Sequence, residues 1–130
     1  MNENEIKILI EKAKKFIETA NLLLNHDDYD STASRVYYAM FYAGEAILLT
    51  KNLKSKTHDG FISLFGEHFI KNNIFPLEMM KQLRMAFDKR QIGDYGTAIS
   101  ITKKEAEDLV KIGQKFINNI ITFLKNQKIL

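Results

Sequence analysis

The stretch "SRVYYAMFYAGEAILL", residues 34–49, decides how the rest of the chain is read. At helical spacing its apolar residues fall on every side of the cylinder, so this is a helix enclosed by other helices, or one that buries an extra face in a partner chain. Arg35, Tyr38, Tyr42 and Glu45 follow one another at steps of three or four and form a polar-tipped strip along it. Ala39, Ala43 and Gly44 are small enough to let another helix approach closely. A chain of 130 residues offers few helices to surround this one, so a homodimer that covers one of its faces is expected.

Working outward, residues 3–25 place Ile6, Leu9, Ala13, Phe16, Ala20 and Leu23 three or four apart, which makes an amphipathic first helix. "NHDDYD" supplies turn and capping residues, and the second helix is predicted over about 31–50. A third begins near Thr57, carries Phe61, Leu64, Phe65 and Phe69, and ends at "KNNI". Pro76, the only proline, suits the first turn of a fourth helix over about 76–92, because its missing N–H falls where no intrahelical partner exists. The two glycines of "GDYGTAISI" read as a loop, with "TAISI" prone to a short extended piece. Thr102 and Glu105 have the spacing of a capping box, and the last helix follows to about Asn126. Its stripe Ala106, Leu109, Ile112, Phe116, Ile120 and Phe123 matches the first helix in period, so the two can lie along each other. The predicted product is an all-α, antiparallel up-and-down bundle of about five helices, with residues 1–130 forming a single helical domain.

Composition narrows the function classes. With 45% hydrophobic and 27% charged residues the chain should fold rather than stay disordered. It has no cysteine, which removes disulfides, thiolate nucleophiles and cysteine zinc sites. No run of about 18 apolar residues occurs and the N-terminus does not look like a signal sequence, so no membrane association and a cytoplasmic location are expected. A net charge of +3 is permissive for nucleic acid without being diagnostic. Phosphate-cradling glycine loops and nucleophile elbows are absent, so nucleotide enzymes of those types are disfavoured.

Two places carry candidate chemistry beyond the tyrosine strip. "FDKRQIGDYG" sets Arg90 and Asp94 four apart, followed by Tyr95. On a plain reading this is an exposed ion pair before a glycine stop. On a sharper one Asp94 orients a guanidinium, its own Arg90 or the distant Arg35, toward a phosphate, whose oxygens an arginine fork binds two at a time. The three histidines are His26, His58 and His68. His58 and His68 are too far apart on one helix to chelate a metal unaided, so neither a metal nor a cofactor is expected. His58 could act as a general base, although a near-surface histidine beside lysines is more often just solvated.

Together, "ASRVYYAMFYAGEAILL", "KSKTHDGFISLFGEHFIKN" and "RQIGDYG" resemble the small stand-alone prokaryotic members of the HEPN domain family (higher eukaryotes and prokaryotes nucleotide-binding). The resemblance runs over about residues 10–125. It implies an antiparallel helical bundle that dimerises and a partnership with a minimal nucleotidyltransferase. Many relatives are metal-independent RNases in which an arginine and a histidine, separated by four to six residues, lie in a cleft at the dimer interface. Arginine would stabilise the phosphate charge there and histidine would move protons. Counting finds no such histidine: after Arg35 the permitted positions hold Met40, Phe41 and Tyr42, after Arg84 Lys89, Arg90 and Gln91, and after Arg90 Tyr95, Gly96 and Thr97. Some relatives also accept nucleotides on a tyrosine two residues beyond that histidine, a position that Thr97 occupies here.

The expectation is therefore a HEPN-type protein that binds a nucleotide or RNA phosphate through Arg35, Tyr38, Tyr42, Arg90, Asp94 and Tyr95. It would act in a toxin-antitoxin-like pair, without catalysis through the usual motif. One alternative is an endoribonuclease toxin with a nonstandard site, in which folding brings His58 or His68 to Arg35 or Arg90. The other is a non-catalytic interaction module whose tyrosines and arginines serve packing. On the first of these readings the strip of Arg35, Tyr38, Tyr42 and Glu45 should face "RQIGDYG".

Overall fold

The computed structural model describes residues 2–96 and 100–130. Five α-helices follow in order: α1 (Glu3–Asn25), α2 (Tyr29–Leu49), α3 (His58–Phe65), α4 (Leu77–Tyr95) and α5 (Lys103–Asn126), with a π-helical turn (Gly66–Ile70) continuing α3. No strand occurs among the described residues. Four of the five helix starts have a local cause. Asp28 accepts a hydrogen bond from the Ser31 N–H, and Thr57 accepts one from the Gly60 N–H. Before α5 the expected capping box is formed: Thr102 Oγ1 accepts from the Glu105 N–H at 3.1 Å while Glu105 Oε1 accepts from the Thr102 N–H at 3.0 Å. Pro76 immediately precedes α4. Asp27, Asn52 and Asn73 take left-handed backbone (φ 61°, 58° and 62°) at three turns, a region in which Asn and Asp are the commonest residues after glycine.

α2 runs through the middle of the bundle and packs against α1, α3, α4 and α5. Val36, Tyr37, Ala39, Met40, Ala43, Ala46 and Ile47 are all fully buried within the one chain. The girdle of apolar residues on α2 is thus covered by its own neighbours, and the case for a dimer made from that girdle loses its footing. The small residues serve the same packing. A Cβ on Gly44 would stand 2.3 Å from Cζ of Phe61, so the glycine receives the α3 phenyl ring rather than a helix of a second chain.

Two boundaries differ from the sequence reading, and one matters for function. α4 does not stop near residue 92 but continues through Gly93 to Tyr95. Gly93 does not end the helix. It lets the end of α4 lie against the first turn of α2, where a Cβ would come within 3.0 Å of the Asp30 carbonyl oxygen. Asp30 also accepts the Ile101 N–H at 2.8 Å, so the entry to α5 is tied to the same turn. The π turn after α3 was not foreseen. It closes with Lys71 N–H donating to the Gly66 carbonyl, and the His68 carbonyl accepts from Lys51 and Asn72 side chains. Of "TAISI", residues 97–99 lie outside the described residues, and Ser100 and Ile101 belong to no strand.

Candidate functional site

Because α4 reaches Tyr95 as helix, Arg90 and Asp94 lie one turn apart and face α2. Arg90 is only 9% exposed, which overturns the reading of an exposed ion pair. Its Nη2 donates to the Tyr38 hydroxyl at 2.8 Å, joining residues 52 apart in the chain. Its Nε lies 2.9 Å from Asp94 Oδ2, an ion-pair contact whose angle is not that of a hydrogen bond, so the buried Nε–H has no aligned acceptor. The guanidinium carbon is 5.1 Å from the Tyr38 ring centre, 5.9 Å from that of Tyr37 and 5.6 Å from that of Tyr95. A desolvated cation held over aromatic faces gains electrostatically from the ring quadrupoles. Asp94 therefore orients its own arginine, not Arg35.

Beyond Tyr38 the surface opens into a groove of about 440 Å³, lined by Arg35, Tyr38 and Tyr42 of α2, Asp94 of α4, Phe16 and Leu23 of α1, and the Ser31 and Ser34 side. The exposed Arg35 stacks over Phe16 with its guanidinium carbon 5.0 Å from the ring centre. Arg35 makes no ion pair among the described residues, so its charge is open to the groove. Tyr42 stands edge-on to Phe16 at 5.1 Å, and the Lys12 ammonium caps the Tyr42 ring at 4.4 Å. Glu45 leaves this strip. It lines a smaller cavity of about 160 Å³ with Glu5, Leu9, Leu48 and Lys54, where burial raises its carboxyl pKa. Tyr95 is 68% exposed at the helix end.

The structure separates the two candidate histidines. His58, the first residue of α3, is not a solvated surface group: its ring centre lies 5.9 Å from that of Tyr38, 5.1 Å from Phe41 and 5.9 Å from Phe87. Its Nδ1 is 2.8 Å from the hydroxyl of Tyr37, a residue wholly buried and absent from the sequence-based list. Burial lowers the His58 pKa, the Arg90 charge lowers it further, and Asp59 opposes them. Burial likewise pushes the Tyr37 phenol well above its usual range, with Arg90 pulling the other way. In the neutral imidazole the tautomer with its proton on Nε2 lets Tyr37 donate to Nδ1 and leaves no buried hydroxyl unpaired. His68 is elsewhere, on the π turn beside Glu67 and Lys51. Thr97 lies outside the described residues.

Sequence reasoning missed Tyr37, Phe16, Ser31 and Ser34. The serines had a readable signal, since Ser31, Ser34, Arg35, Tyr38 and Tyr42 follow a single three-and-four spacing. Tyr37 had none beyond being the second tyrosine of a pair, about 100° around the helix from Tyr38. Among the described residues no group of three or more His, Asp or Glu side chains could hold a metal ion, and no helix is long and apolar enough to cross a membrane.

A bundle built around one apolar helix, with a buried arginine locked to it beside an aromatic groove, defines a small all-α protein of a recognisable class. Residues 6–125 match the HEPN domain, and the chain belongs to that family. It is 40% identical to the Methanocaldococcus jannaschii protein named "Putative toxin MJ0142", over 98% of this chain and 87% of that one. It is 38% identical to a UPF0332 protein of Gloeobacter violaceus (89% and 93%) and 30% identical to one of Thermotoga maritima (98% of each). The crystal structure of TT1696 from Thermus thermophilus superposes with a TM-score of 0.74 over 94% of this chain and 98% of that one. At 19% identity this last likeness speaks for the fold alone.

Proposed function

We propose that this chain is a toxin-like HEPN protein that binds a nucleotide or an RNA phosphate in the groove between α1, α2 and the end of α4. The single observation that carries this reading is the unpaired Arg35 charge in an aromatic-lined groove whose wall is braced by the buried Arg90–Tyr38–Asp94 cluster. Arg35 supplies the phosphate contact, and Tyr38, Tyr42 and Phe16 supply faces on which a base can stack. Tyr95 is exposed with its ring near the Arg90 guanidinium but does not line the groove itself. Two relatives carry the name "Putative toxin", which supports the toxin-like part of this reading. The family resemblance alone supports a cytoplasmic role in which the whole chain acts as one domain, as a homodimer, beside a minimal nucleotidyltransferase. Titration with mononucleotides and short RNA is the test: saturable binding weakened at least about tenfold by Arg35→Ala is expected. Absence of binding, or binding indifferent to Arg35, refutes it.

One observation favours a second reading, metal-independent RNA cleavage. Folding brings His58, with a lowered pKa that keeps it a neutral base, next to Tyr38 and within the field of Arg90. Arg90 would stabilise the phosphate charge and His58 would accept the 2′-hydroxyl proton. Expression in a host decides it: growth arrest relieved by His58→Ala and Arg90→Ala, but not by His68→Ala, supports cleavage, whereas intact RNA and normal growth refute it.

A further inference from the structure

Resting on the nucleotide reading of the groove, we infer that Asp94 selects the base, and that the base is guanine, in a free nucleotide or in single-stranded RNA. The groove holds one unpaired cation, Arg35, and one carboxylate, Asp94, which form no ion pair with each other. A carboxylate in a phosphate-binding groove repels the phosphate, so Asp94 is matched to a part of the ligand that donates hydrogen bonds. Its side chain is 28% exposed, and Arg90 Nε lies 2.9 Å from Oδ2. Oδ1 and the remaining lone pairs are left to accept from the groove side. The ion pair with Arg90 keeps the carboxylate at the wall of the groove.

An ionised carboxylate only accepts. Among the four RNA bases, guanine alone sets two donors side by side, N1–H and the N2 amino group, with no acceptor between them. Adenine and cytosine place a ring nitrogen acceptor beside their amino group, and uracil flanks its single N–H with two carbonyls. Each of these puts a lone pair against a carboxylate oxygen. Tyr38 and Tyr42 supply stacking faces, which do not discriminate strongly among bases, so the selectivity rests on Asp94.

The test measures affinity by calorimetry for the four nucleoside 5′-monophosphates and for single-stranded pentaribonucleotides that differ only at the central base. Wild-type protein should prefer guanine by about tenfold or more in at least one of the two sets, the fold expected of one good bidentate contact. Asp94→Asn presents one acceptor and one donor, which the edges of all four bases can meet, so it should bind the bases without the guanine preference. A merely structural role for Asp94 would weaken all bases alike. Binding of all bases with equal affinity overturns this inference and leaves the nucleotide reading standing. Failure of every ligand to bind overturns both. A guanine preference that survives Asp94→Asn removes Asp94 from the role. Should Asp94→Asn fail to fold, Asp94→Ser takes its place, and a guanine preference that survives it removes Asp94 from the role.

Discussion

Replacing Tyr38 by Phe removes one oxygen and leaves the ring. The lost atom accepts the Arg90 Nη2 hydrogen bond at 2.8 Å, and Arg90 already has an Nε–H without an aligned acceptor. With Arg90 9% exposed, the freed donor is poorly placed to find water, although the half-buried Tyr38 lies on the groove, where some solvent can follow. Hydrogen bonds to charged groups contribute about 1.5–3 kcal/mol, and the open groove side points to the lower half of that range, about 1.5–2 kcal/mol. The assay is urea unfolding followed by helical circular dichroism, run as a double-mutant cycle with Arg90→Met. In the Arg90→Met background Tyr38→Phe should cost less than about 0.5 kcal/mol, because no buried charge is left unsatisfied. A Tyr38→Phe cost below about 0.5 kcal/mol in the wild-type background, or an equal cost in both, would refute the argument that this hydrogen bond holds the arginine in place.

Three further outcomes are expected. His58 is held neutral by burial and by Arg90, so its folded pKa lies below its unfolded value of about 6.5. The unfolded chain then binds more protons, and stability should fall as pH drops through about 6.5 toward the folded pKa, and level off below it. An imidazole resonance titrating above about 6.5 in an NMR titration contradicts this, as does an unchanged slope in His58→Gln. Glu105 is hydrogen-bonded by Lys89 and by the Thr102 N–H, which lower its pKa to about 2. Glu105→Gln should therefore destabilise at neutral pH by about 1 kcal/mol, and the difference from wild type should shrink as pH falls from about 4.3 toward about 2. Gly44→Ala places a methyl 2.3 Å from Phe61 Cζ and should cost about 1–3 kcal/mol, part of it recovered by Phe61→Leu; a melting temperature unchanged by Gly44→Ala would show that the α2–α3 contact is looser than described.

The helices were legible in the sequence because α1 and α5 carry a clear apolar stripe and α2, α3 and α5 each have a side-chain cap at their start. Thr102 and Glu105 announced the start of α5, and the all-round apolarity of residues 34–49 announced a central helix. What was misread at the end of α4 is which glycine stops it: the helix runs through Gly93 and ends at Gly96, the stop after Tyr95. Gly93 looked like a terminator, but it is consumed by the close approach of α4 to Asp30, and that approach carries Arg90 to Tyr38. The strip on α2 was legible as far as Tyr42, which shares the groove with Asp94 of "RQIGDYG". Glu45 drops out because it lies a further turn along, under α1 and the loop before α3. The burial of Arg90 and of His58 could not be read from spacing, since both depend on which helices meet, and His58 and His68 look alike until α3 is docked on α2.

The proposed function requires that the groove bind a phosphate through Arg35. Calorimetric titration of the wild-type protein and of Arg35→Ala with guanosine 5′-monophosphate and short single-stranded RNA addresses this most directly. At least one of them should bind saturably, and Arg35→Ala should weaken that binding about tenfold or more while the fold stays intact by circular dichroism. Binding unaffected by Arg35→Ala, or no binding to the wild-type protein, would contradict it.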